Sequence, residues 1–261
     1  MTSTLENSSM RATSLSFQFI FASLVLLGLP GAAGASSLGI SPTRVTLTEK
    51  TPTAAITVVN QGTDLKVIQT ELLRWTQEGG KDVHAPTRDL LANPPVFTVA
   101  PGKTQVIRVG LNRASSDTQE LAYRLFLQEV SPPPLPGFTG LQVALRIGVP
   151  VFVVPAKAPV SSMLRWKAVR MEAGTIQLTV SNEGNVHAEL AEVMLSQPGN
   201  GSAPKVINWY KAPFPLLPGQ SRTLVLKPEF DWKGDRLYLS ARASQGAVVE
   251  TELELENTAQ R

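Results

Sequence analysis

From Leu38 onward, short apolar runs recur along the chain, each cut off by Gly, Pro, Asn or Asp. That cadence favours strands joined by turns over long helices. The first set of runs is Ile40 to Leu47, Ala55 to Val59, Leu65 to Trp75, Pro95 to Val99, Thr104 to Leu111, Leu121 to Val130 and Leu141 to Val154. Pro155-Ala156-Lys157-Ala158-Pro159 then reads as a short stiff linker, because proline pre-sets the backbone and removes donors. After it the cycle restarts, with Leu164 to Met171, Thr175 to Ser181, Ala188 to Leu195, Val206 to Tyr210, Ser221 to Leu226, Arg236 to Ala243 and Val248 to Leu255.

The count of runs on each side of the linker is that of an immunoglobulin-like sandwich. The reading is therefore all-β: two immunoglobulin-like β-sandwich domains joined by a short Pro-rich linker, over residues 36–155 and 156–261. Two landmarks repeat across the linker in the same order and at near-equal spacing. Asn60-Gln61-Gly62 is echoed by Asn182-Glu183-Gly184, and Pro101-Gly102-Lys103-Thr104 by Pro218-Gly219-Gln220-Ser221. Chance matching of common turn motifs is the alternative to duplication; the shared order favours duplication.

Residues 1–35 read as a secretory signal. Arg11 precedes an apolar stretch, Phe17 to Leu29, that is short for a membrane span, and Ala33-Gly34-Ala35 supplies a small-x-small cleavage pattern. Cleavage is expected after Ala35, with export to the periplasm and no membrane insertion afterwards; an uncleaved anchor is the alternative. The chain has no cysteine, so each exported domain must rely on its own core, and thiol catalysis and Cys-based zinc sites are excluded. The net charge of +3, with no block of Lys and Arg among aromatics, does not point to nucleic acid.

No enzymatic constellation is expected. His84 and His187 fall in separate domains, His84 in a polar loop and His187 after the Asn182 turn, both expected at the surface and without metal-ligand spacing. There is no G-x-S-x-G elbow and no glycine-rich phosphate loop. No catalytic residue, metal or cofactor is assigned. Trp75, Trp166, Trp209 and Trp232 could form a sugar-binding platform, but sandwich cores are the expected place for them.

The run Leu141-Gln142-Val143-Ala144-Leu145-Arg146-Ile147-Gly148-Val149 alternates with a period of two. Its continuation, Val151 to Val154, is apolar on both faces, as for a strand buried at a domain junction. A core-facing sandwich strand explains the alternation. A strand kept available for pairing with another chain explains it equally, and proteins normally suppress so aliphatic an edge.

Four motifs decide between these readings. They are Ser41-Pro42-Thr43-Arg44-Val45; Pro101-Gly102 with Gln105 and Ile107-Arg108-Val109; Tyr123-Arg124 with Leu127, Glu129-Val130 and Pro132-Pro133; and Leu141 to Leu145. Together they resemble the PapD-like periplasmic pilus-assembly chaperones of the chaperone–usher pathway, over residues 38–255 and most strongly in the first domain. The resemblance implies a non-enzymatic chaperone that stabilises fimbrial subunits by donor-strand complementation and delivers them to an outer-membrane usher. It makes Leu141, Val143, Leu145 and Ile147 the donated side chains and Arg44 the anchor for the subunit's C-terminal carboxylate. Relatives place a lysine where this chain has Pro150, so Arg146 or Arg108 are weaker alternatives, or the subunit is anchored as in archaic-type branches. For Arg108 a structural pairing with Glu129 is expected. The free protein could cap its own edge by oligomerising. The competing reading is a secreted two-domain adhesin or carbohydrate-binding β-sandwich.

Overall fold

The computed structural model describes residues 38–131, 139, 143–197, 204–228, 230, 232, 234–243 and 248–257. The expected signal segment and Leu141 of the expected donor strand lie outside them. Among the described residues there is no α-helix, and none is therefore long and apolar enough to cross a membrane.

The first domain is built from β1 (Leu38–Ser41), β2 (Val45–Leu47), β3 (Thr53–Asn60), β4 (Lys66–Glu78), β5 (Lys81–Pro86), β6 (Leu90–Asn93), β7 (Val96–Val99), β8 (Thr104–Leu111), β9 (Leu121–Glu129) and β10 (Arg146–Val153). One sheet runs β1-β3-β8-β6, and the other β2-β10-β9-β4-β5 with β7 also on β4. Alternating side chains from both sheets, including Val45, Ile56, Ile68, Ile107, Leu125, Val149 and Val151, meet in one buried core.

The second domain holds β11 (Leu164–Arg170), β12 (Ile176–Asn182), β13 (Ala188–Gln197), β14 (Lys205–Tyr210), β15 (Phe214–Leu216), β16 (Ser221–Leu226), β17 (Arg236–Ala243) and β18 (Val248–Asn257). Their ladder runs β14-β13-β17-β18-β11-β12-β16, with β18 antiparallel to β17 and parallel to β11. Its separate core includes Ile176, Leu178, Leu195, Phe214, Leu224 and Leu239. Each domain is thus a sandwich closed without disulfides.

The repeated landmark is a buried clamp in both domains. Asn60 donates its side-chain amide to the carbonyls of Asp64 and Val99, and accepts from the Gly62 N–H. Asn182 does the same with Val186, Leu216 and Gly184. The backbone repeats as well: Gly102 N–H bonds Asn60 O, and Gly219 N–H bonds Asn182 O, each at 2.8 Å. A fully satisfied amide at the same place in both sandwiches explains why the motif recurs.

Between the cores, Trp75, Ala122 and Phe152 of the first domain pack with Leu217 of the second. Gln77, almost fully buried, donates to the Pro215 carbonyl and accepts from the Leu217 N–H. His187 stacks flat on Phe152, with ring centroids 3.7 Å apart, and its Nδ1 lies 2.7 Å from Glu120 Oε2. It is half-buried rather than a surface residue. The linker is tied down too, with Ala156 and Ala158 N–H bonding the carbonyls of Ser116 and Asp117.

Candidate strand-addition edge

The candidate site is the edge of β10 before its junction with β2. Residues 38–47 do not form one strand. β1 pairs with β3 in one sheet, and β2 pairs with β10 in the other. This switch places β2 opposite Val151, Phe152 and Val153 only. On the other side β10 pairs with β9 along its whole length, from Arg146↔Gln128 to Val153↔Leu121. Among the described residues nothing pairs with the second edge of Arg146–Pro150.

Two backbone bonds fix which groups face that edge. Glu129 N–H donates to Leu145 O at 2.8 Å, so the odd-numbered residues Leu145, Ile147 and Val149 turn their polar groups toward β9. Val154 N–H donates to Leu47 O at 3.0 Å, so the even-numbered residues face β2 and, before it begins, the open side. Arg146 and Gly148 therefore present an N–H and a C=O there, while Pro150 has no N–H to present.

The expected donor residues fall as follows. Val143 is 60% exposed, Leu145 and Ile147 are half-buried, and Val149 is 2% exposed in the first core. The alternating run expected as one strand becomes regular only at Arg146; Val143–Leu145 precede β10. Val151, Phe152 and Val153 are all buried, Phe152 against the second domain.

The outer face beside this edge is cationic and aromatic. Arg146 lies over Phe126, with its guanidinium carbon 3.8 Å from the ring centroid, and reaches Glu71 Oε2 at 3.1 Å. Arg124 lies 3.9 Å over Trp75. Gly148 leaves room for this stack: a Cβ there would come within 3.1 Å of Arg124 Cδ and 3.2 Å of Phe126 Cε1. His84 belongs to β5, not to a loop, and meets Phe126 edge-on at 5.2 Å. Burial, with the nearby Arg124 and Arg146, pushes His84 below the ordinary histidine range, and Asp82 only partly opposes this.

Arg44, between β1 and β2, is ion-paired with Glu189 of β13 and lies 5.8 Å from the Phe152 ring centroid. Arg108 is exposed on β8, in the sheet opposite β10, opposite Ala55 and Asn93. Its expected partner Glu129 is instead held by Lys66 at 2.6 Å, because both residues sit at the end of the β4–β9 pair. Trp209, expected in a core, is 48% exposed and donates its indole N–H to Glu192. Among the described residues no group of His, Asp and Glu could hold a metal ion.

Residues 37–159 match the model of the family described as pili and flagellar-assembly chaperone, PapD N-terminal domain. No curated protein matches the chain. Among solved structures, the chain is similar to one from the CsuC–CsuE chaperone–tip adhesion subunit pre-assembly complex of the archaic chaperone–usher Csu pili of Acinetobacter baumannii. That match has a TM-score of 0.62 at 18% identity, covering 85% of this chain and 100% of the other. The E. coli chaperone DraB matches with a TM-score of 0.56 at 18% identity, over 85% of this chain and 97% of its own. A chain from the Salmonella enterica SafA pilin–SafB chaperone complex matches with 0.56 at 18% identity, over 86% and 99%. At these identities the structural likenesses establish the shared fold.

Proposed function

This chain carries the N-terminal domain of the PapD-type pili and flagellar-assembly chaperones, and from that premise we propose that it holds pilus subunits by completing their sheets with its own strand. In this reading it works in the periplasm, after removal of residues 1–35, and passes the loaded subunit to an outer-membrane usher. The observation that carries the reading is the half-paired β10: bound by β9 along one edge, with β2 reaching only Val151–Val153 on the other. An aliphatic strand with a free ladder is a hazard unless another chain uses it.

The magnitudes favour side-chain burial as the main grip. Covering Val143, Leu145 and Ile147, with Leu141 beyond the described residues, contributes about 1.5–3 kcal/mol for each side chain fully buried. Ladder bonds at Arg146 and Gly148 add about 1 kcal/mol each, net. Arg44 would anchor the subunit's terminal carboxylate by exchanging it for Glu189. That pair is partly exposed, so breaking it costs at most about 1 kcal/mol, and one carboxylate replaces another on the same guanidinium.

Co-expression with candidate pilus subunits tests the proposal. A stable one-to-one complex is expected, and Val143→Asp or Leu145→Asp should abolish it. A complex that tolerates both charges would overturn the reading. The exposed Trp209 is the one observation favouring a glycan-binding protein instead. Glycan binding that disappears in Trp209→Ala, with no subunit complex formed, would establish that alternative.

A further inference from the structure

We infer that Pro150 is a register stop for the incoming strand, an inference that rests on the strand-addition reading above. The aliphatic pattern alone does not set a register. Val143, Leu145 and Ile147 repeat every second residue, so after a slip by two most positions still meet an aliphatic side chain. The backbone breaks this degeneracy. On the open side the available groups are the N–H and C=O of Arg146 and of Gly148, and the next residue with the same orientation is Pro150. Immediately beyond it β2 takes over, with Val45 opposite Val151.

A subunit strand sliding toward β2 would set a carbonyl against the proline ring, where no donor exists. One lost bond and one unpaired carbonyl disfavour that register by about tenfold or more. The added segment therefore ends its ladder at Gly148, and its chemistry is that of an extended chain supplying an acceptor and a donor to each of Gly148 and Arg146. Pro150 also blunts the edge where two copies of this chain would otherwise continue pairing toward β2.

The chain has no cysteine, which makes the register directly readable. Ala144→Cys is combined with a cysteine scan of the co-expressed subunit, and disulfides form only where Cα atoms come within about 7 Å. Pro150 is expected to give one cross-linked subunit position, and Pro150→Ala a second position two residues away. In the free Pro150→Ala protein, amide exchange followed by NMR should be at least about tenfold faster at residue 150 than at Val149 and Val151, which bond to β9. An unchanged single register in Pro150→Ala, or a slow amide at residue 150 in the free variant, would overturn the stop and leave strand addition standing. Unprotected Arg146 and Gly148 amides in the wild-type complex would instead remove the strand-addition reading itself, and the stop with it.

Discussion

At the residue scale, a few polar side chains are buried where apolar ones would be expected, each with its hydrogen bonds directed to backbone groups. Asn60 and Asn182 are almost wholly buried, and each satisfies one loop carbonyl and one strand-end carbonyl while receiving a glycine N–H. Replacing either with Ala leaves the Val99 or Leu216 carbonyl without that partner, at a cost of about 1–3 kcal/mol. Urea unfolding of Asn60→Ala and Asn182→Ala should show comparable falls in midpoint, each in its own domain. The sequence showed the motif and its repetition, but read it as a turn. That the Asn points inward follows from the loop carbonyls closing over it, which no local pattern encodes. The places of the histidines are hidden from local pattern for a similar reason. The Lys81–Pro86 segment is polar enough to look like a loop, yet β4 recruits it as an edge strand and brings His84 against Phe126. His84 also gives a pH dependence whose sign can be worked out. Its folded pKa lies below the unfolded value near 6.5, so the unfolded chain takes up the proton first. Stability is full above about pH 6.5, and falls with acidification until the pH passes the lower folded value. His84→Gln should flatten that part of a stability–pH curve measured by chemical denaturation.

At the element scale, one strand changes its role along its length. The run Leu141 to Val154 was legible as alternating and aliphatic. Where it stops serving its own core was not, because the same pattern suits both uses. The answer came from a different element, the run Ile40 to Leu47, which the sequence presents as one strand and the fold divides between two sheets. Only the later part covers β10, and the uncovered stretch follows from that division. β6 and β15 are not legible because Leu90-Leu91-Ala92-Asn93 does not alternate in polarity and β15 is three residues with a proline in the middle. The change of role has a measurable signature in paired substitutions. Val143 is mostly exposed and Val149 is buried among Val45, Leu125 and Val151. Val143→Asp should leave the free protein's melting behaviour within about 0.5 kcal/mol of wild type while eliminating the subunit complex. Val149→Asp places an unpaired charge in the core and should unfold the first domain outright. Equal destabilisation by the two would mean that residue 143 already belongs to the protein's own sandwich.

At the scale of the whole molecule, the two sandwiches meet through a small apolar contact reinforced by directed hydrogen bonds. Trp75, Ala122, Phe152 and Leu217 form too small a cluster to fix an orientation alone. The Arg44–Glu189 pair is partly exposed and contributes little. Gln77 is different, since it spans the junction with a donor and an acceptor, both to the backbone around β15, and is itself buried. Its removal leaves the Leu217 N–H and the Pro215 carbonyl unpaired, about 1–3 kcal/mol for each group that water does not reach. That penalty falls on the coupling between domains; inside the first domain Gln77 gives up only one further bond, to the exposed Asp82. Gln77→Ala should therefore split the calorimetric unfolding transition into two, with the transition of each separate domain otherwise unmoved. The open edge and Arg44 both belong to the first domain, whereas Glu189 belongs to the second. Loosening the junction thus frees Arg44 from its resident carboxylate without altering the ladder groups of Arg146 and Gly148. If the anchor works by exchange, Gln77→Ala and Glu189→Gln should shift subunit affinity in the same direction, while Arg44→Ala shifts it the opposite way. An Arg44→Ala protein that binds subunit as well as wild type would place the grip wholly in the strand.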